Sequence, residues 1–61
     1  MYKVTVEWPA FDGQIIYELD TPWVEIDPSN GSINYEKDFD VVDIPVESMY
    51  STRIVIEKIG A

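Results

Sequence analysis

Hydrophobic and polar residues alternate strictly at the start of the chain. Tyr2, Val4, Val6 and Trp8 fall on one face of an extended segment, and Lys3, Thr5 and Glu7 on the other. Period two in β-branched and aromatic residues predicts a half-buried β-strand. Pro9 ends its pairing, and Asp12-Gly13 is a turn dipeptide that accepts positive φ, so a first hairpin is expected here. Alternation resumes from Gln14 to Leu19, with Ile15, Tyr17 and Leu19 opposite Ile16 and Glu18, and stops at Asp20-Thr21-Pro22. Trp23 to Asp27 reads as a third strand, with Val24 and Ile26 on one side and Trp23, Glu25 and Asp27 on the other. Pro28-Ser29-Asn30-Gly31 follows; Pro suits the first central position of a type I turn, and Asn-Gly suits left-handed backbone. Ser32 to Glu36 then returns with Ile33 and Tyr35 as its apolar face.

The second half is less regular. Lys37 to Asp43 is an acidic stretch around Phe39, Val41 and Val42, read as a loop or an edge strand. Residues 44–50 admit two readings. Asp43 can cap a single helical turn with Pro45 in its first turn. Alternatively Val42, Ile44 and Val46 alternate as an edge strand, where Pro is tolerated. Thr52 to Ile59 closes the chain, and its Ile54-Val55-Ile56 run predicts burial on both faces, as in a central strand. The expected fold is all-β: one small antiparallel domain of five to six strands, a barrel or a two-sheet sandwich, with one short helical turn possible near residues 44–50.

Length makes this a marginal domain. A chain of 61 residues buries only about 60% of the surface it exposes when unfolded. With no Cys and no His, disulfides and thiolate or imidazole zinc sites are excluded, so packing or self-association must supply stability. The 46% hydrophobic share, with two Trp, four Tyr and two Phe, is enough for a core and argues against disorder.

Charge narrows the partners. Twelve acidic residues against four basic ones give a net charge of −8. That field repels nucleic acid and anionic membranes and attracts basic protein surfaces. Four Lys and Arg cannot neutralise a run of phosphates, so no direct nucleic-acid binding is expected. No apolar run approaches the about 20 residues of a membrane span, and the N-terminus lacks signal-peptide architecture, so the expectation is a cytoplasmic chain.

Catalysis finds little support. The usual general bases and thiolate nucleophiles are missing, and no Gly-x-Ser-x-Gly elbow is present. Paired carboxylates such as Glu18 with Asp20 need a cleft that a chain this short can hardly build beside a core. The chain is therefore read as non-enzymatic and without a cofactor. Glu36, Asp38, Asp40 and Asp43 are oxygen ligands of the calcium type, but they lack the alternation, central Gly and terminal Glu of an EF-hand loop. Asn30-Gly31-Ser32 matches a glycosylation acceptor, and a tight turn explains the same residues without modification.

Two surfaces carry the functional expectation. If strands 14–19 and 23–27 pair, Glu18 and Glu25 meet across the sheet, and Asp20 and Asp27 extend the same acidic face. Like charges set opposite each other oppose pairing, which suggests that such a face is used. Spaced carboxylates on a rigid β surface can imitate a row of phosphates. Trp23, by alternation, shares that face, either as an exposed anchor or as a core residue. The leading expectation is a small acidic inhibitor or adaptor of the viral or mobile-element type. It docks on a basic surface of a larger, nucleic-acid-binding protein through Glu18, Asp20, Glu25, Asp27, Asp38 and Asp40, with Trp23 as apolar anchor. A homodimer formed through a sheet edge stays open.

The stretch Trp23-Val24-Glu25-Ile26-Asp27-Pro28-Ser29-Asn30-Gly31-Ser32-Ile33 resembles a hairpin common in bacterial immunoglobulin-like and carbohydrate-associated modules. Tyr50-Ser51-Thr52-Arg53-Ile54-Val55-Ile56 resembles their closing strand, and the likeness spans residues 22–59. It implies an accessory β module of an extracellular protein, binding carbohydrate through Trp23 and its neighbours or serving as a spacer. The chain is shorter than a usual seven-strand sandwich of that kind.

Overall fold

The computed structural model describes residues 1–60. It holds two three-stranded antiparallel sheets. Sheet I has the order β2-β1-β6, from strands Gly13–Leu19, Tyr2–Trp8 and Arg53–Lys58. Sheet II has the order β3-β4-β5, from Val24–Asp27, Ser32–Lys37 and Asp40–Pro45. The fold is the two-sheet form of the expected all-β domain.

The strict alternation of β1 fixes what faces inward. Val4 and Val6 are fully enclosed and meet Ile33 of β4 and Val46 in a single core. Tyr17 and Leu19 from β2, Ile54 and Ile56 from β6, and Val24 and Ile44 from sheet II pack around it. The register places Val4 between Tyr17 and Ile56, and Val6 between Ile15 and Ile54. The molecule is thin, 34 × 25 × 12 Å across its Cα atoms. Its accessible surface of 4387 Å² exceeds the about 4,000 Å² usual for this mass. Three strands per layer leave the flanks open, so Ile15 and Ile26 stay partly exposed.

Residues 46–47 staple the two layers at one end. The Val46 amide donates to the Gly31 carbonyl at 2.8 Å in the turn of sheet II. The Trp8 indole Nε1 of sheet I donates to the Glu47 carbonyl, also at 2.8 Å. A 3-10 turn at Met49–Ser51 follows, closed by the Thr52 hydroxyl and amide, which both donate to the Met49 carbonyl.

Four expectations change. β6 pairs only with β1 and is an edge strand, with β1 the central one, and Val55 points outward beside Thr5, so the Ile54-Val55-Ile56 run is not enclosed on both faces. Both readings of residues 44–50 hold in part: an edge strand runs through Pro45, and the helical turn comes later, without Asp43 as its cap. Asp43 instead lies within β5, opposite Asn34. In the 28–31 turn only Gly31 is left-handed (φ 63°), and Pro28 opens the turn by accepting the Gly31 amide, one position earlier than expected. Strands β2 and β3 do not pair; they belong to different sheets.

Candidate functional site

The last correction dismantles the Glu18–Glu25 ladder. Glu18 stands opposite Lys3 on the outer face of sheet I, and Glu25 stands opposite Asn34 on the outer face of sheet II. Sheet I is locally balanced. Lys3 lies between Glu18 and Glu57, and Glu7 lies between Gln14 and Arg53. Opposite charges at such cross-strand positions favour pairing.

Sheet II is not balanced. Residues 20–45, which build it, carry seven acidic side chains against Lys37 alone, so six of the eight net negative charges gather there. Successive residues of a strand point to opposite faces, so the register puts Glu25, Asp27, Glu36 and Asp43 together on the outer face. Asn34 sits between Glu25 and Asp43 in one row across the three strands. That neutral spacer holds the two carboxyl-bearing positions about two strand spacings, or ~9.6 Å, apart. The pleat also separates the oxygen ligands of the acidic stretch: Asp40 pairs with Lys37 on the inward parity, while Glu36 and Asp43 face out. Among the described residues no group of three or more such side chains is placed to hold a metal ion.

Asp27 has a local task. Its carboxylate accepts the Ser29 hydroxyl (3.1 Å), the Asn30 amide N–H (3.3 Å) and the Asn30 and Asn34 side-chain amides (2.7 and 3.4 Å). These donors, the Asn30 side chain foremost, hold its pKa below the ordinary carboxylate value. A depressed folded-state pKa gives stability that is present above the unfolded value, about 3.9 for Asp, and is lost as pH falls through the folded value. The β3–β4 turn is accordingly expected to loosen in that acid window. An NMR titration checks it: the Asp27 carboxyl carbon and the Asn30 amide should move together, with a midpoint below that of a free Asp. Separate midpoints, or one at the ordinary value, would contradict the turn as described.

Asp20 lies on the link between the sheets. Thr21 is buried there, its Oγ1 donating to the Trp23 carbonyl (3.0 Å) and accepting the Glu36 amide (3.1 Å). The hydroxyl thus ties the link to β4 and brings Asp20 toward the far end of sheet II. Trp23 precedes β3 and is half-buried, neither a core member nor a free platform.

At that far end lies a residue the sequence reading passed over. β4 and β5 are joined by a two-residue hairpin turn, Asp38-Phe39, both left-handed at φ 51° and 67°. Asn-Gly or Asp-Gly is the usual sequence for such a turn, because both central residues need positive φ. A bulky side chain in that region is an outlier. Phe39 is also 99% exposed, and Asp38 and Asp40 flank it. The structure therefore joins Asp38 and Asp40 with an apolar tip, places Glu25 and Asp27 on the adjoining face, and leaves Glu18 on the other sheet.

No helix among the described residues is long and apolar enough to cross a membrane. Comparison of the chain with protein-family models, with curated proteins and with solved structures gives no match in any of the three.

Proposed function

We propose that this domain is a non-enzymatic, protein-binding module that docks on a basic protein surface through sheet II. The observation that carries the reading is the segregation of charge: the strands of sheet I carry three acidic and three basic side chains, while residues 20–45, which build sheet II, hold six of the eight net negative charges. Solubility alone asks for net charge, not for its collection on one layer. A one-signed face steers association with an oppositely charged partner and fixes its orientation.

Glu25, Asp43 and Glu36 form the docking face, Asp38, Asp40 and Asp20 its acidic end, and Phe39 the apolar anchor. Phe39 takes the role that alternation assigned to Trp23. Carboxylates spaced along a rigid face suit a protein groove that otherwise accepts phosphates, so a nucleic-acid-binding protein is the partner class, and the domain acts there as an inhibitor or adaptor.

The test is capture of partners by the tagged domain and by two variants, each losing two charges. One carries Glu25→Gln with Asp43→Asn on sheet II; the other carries Glu18→Gln with Glu57→Gln on sheet I. A partner bound by the wild type should be released by raised salt and by duplex DNA, and lost with the sheet II variant but kept with the sheet I variant. Screening over about 8 Å at physiological ionic strength makes the salt response steep. Capture that survives high salt, or that both variants weaken equally, rejects the reading.

A further inference from the structure

At the stapled end of the sandwich, away from Phe39, a groove of about 380 Å³ is lined by Trp8, Phe11, Gly13, Ile15, Glu47 and Ser48. We propose that it binds the side chain of a lysine in a basic polypeptide, stem against the apolar walls and ammonium between the aromatic rings and Glu47. This site stands independently of the sheet II proposal.

Four observations converge on a cation. Trp8 spends its only donor on the Glu47 carbonyl, so the ring offers a ligand its face and not its N–H. That same bond holds the Glu47 backbone at the groove, which the residue also lines. Phe11 closes the 3-10 turn Pro9–Phe11 that follows Trp8, is 77% exposed and lines the groove. Aromatic faces attract ammonium groups through the ring quadrupole, more strongly where the site is partly desolvated. An adjoining hollow of about 290 Å³ shares Trp8 and Gly13 and is lined also by Glu7 and Asp12. Glu7 faces Arg53 across the strands, whereas Asp12 and Glu47 lie outside the ladders. Among the described residues, no Lys or Arg lines either hollow.

Gly13 keeps the groove open. It lies opposite Trp8 in the ladder and has no positive φ, so its backbone does not require glycine. A Cβ there would meet the Trp8 ring at 3.9 Å, an ordinary contact. Packing does not demand glycine either, and glycine weakens a strand. What a larger side chain would remove is the space over Trp8.

The probe is Nα-acetyl-lysine methylamide, followed by the Trp8 indole N–H and Phe11 amide signals in NMR. Nα-acetyl-norleucine methylamide, the same stem without the ammonium, and sodium chloride at equal ionic strength are the controls. The lysine derivative should give saturable shifts in the millimolar range, centred on Trp8, Phe11 and Glu47, at least threefold tighter than the norleucine derivative. Glu47→Gln should weaken it about threefold, while Phe11→Ala and Gly13→Val should abolish it with the remaining spectrum intact. The Glu25→Gln/Asp43→Asn variant should bind the probe as the wild type does, so this site and the sheet II proposal fail separately. Equal binding of the two derivatives, shifts no larger than those of salt, or full binding by Phe11→Ala overturns the proposal.

Discussion

Replacing Phe39 by Gly is expected to raise the midpoint of thermal unfolding by a few degrees and to weaken partner capture in the same protein. The two effects share one cause. An L-residue in the left-handed region costs about 1–2 kcal/mol, and Phe39 sits there at φ 67°. Glycine relieves that cost but loses more chain entropy on folding, roughly 0.5–1 kcal/mol. No packing is forfeited, because the ring is 99% exposed. The net gain of up to about 1.5 kcal/mol corresponds to a rise of at most ~6–12 °C in a domain of this size. Phe39→Ala separates the two effects: it keeps the backbone cost and removes the ring, so capture should fall without the rise in melting temperature. Calorimetry and capture on the same three proteins settle it. If Phe39→Gly melts lower than the wild type, the tip is not strained as described. If both variants capture normally, Phe39 is not the anchor.

A residue that destabilises its own turn and covers nothing conflicts with the local rules that otherwise shape this chain, and such conflicts concentrate at functional sites. Stability selected alone would favour Gly at that position, as hairpins of this type generally do.

Much of the fold was legible because alternation in β1 and β4 is strict enough to assign faces without knowing which strand pairs with which. Val4, Val6 and Ile33 were marked as inward by period two alone, and all three are enclosed. Pairing was harder to read. Consecutive strands usually neighbour each other, which favoured a β2–β3 hairpin, but the Asp20–Trp23 link instead carries the chain from one layer to the other. Thr21 makes that crossing with a side-chain hydroxyl in place of ladder bonds, and a lone Thr in a sequence carries no such signal. The Ile54-Val55-Ile56 run misled for a related reason: Val55 and Ile16 flank Thr5 in one row on the outside of sheet I, so continuous hydrophobicity there does not mean a second layer. The acidic face was legible in charge and not in position. Glu36 and Asp43 join it only once residues 40–45 are known to pair with β4, and Asp38-Phe39 lacks the glycine that announces a tight hairpin.

The largest effect on stability is expected from Ile33→Ala. Ile33 lies in the central strand of sheet II, between Ile26 and Ile44 in register, and is completely enclosed against Val4 and Val6. Truncating a buried Ile to Ala costs about 2–5 kcal/mol, because the surroundings close only partly over the cavity. A chain of 61 residues has roughly 3–9 kcal/mol of total stability at ~0.05–0.15 kcal/mol per residue. The substitution therefore removes a large part of the whole, and at the lower end leaves the domain unfolded at room temperature. Ile26→Ala supplies the contrast with the same chemistry on the adjacent strand. Ile26 is 38% exposed at the open flank, so its truncation leaves less of a cavity and should cost distinctly less. Urea unfolding of both variants measures the difference. Equal losses would mean that the flanks are closed in solution, as by pairing of two copies, and a repeat at several protein concentrations decides that: a closed flank gives a midpoint that rises with concentration, whereas the isolated two-layer sandwich gives one that does not. With so few residues enclosed, Ile33 is the one fully enclosed apolar side chain that sheet II sets against Val4 and Val6 of sheet I, and the acidic face of sheet II rests on that packing.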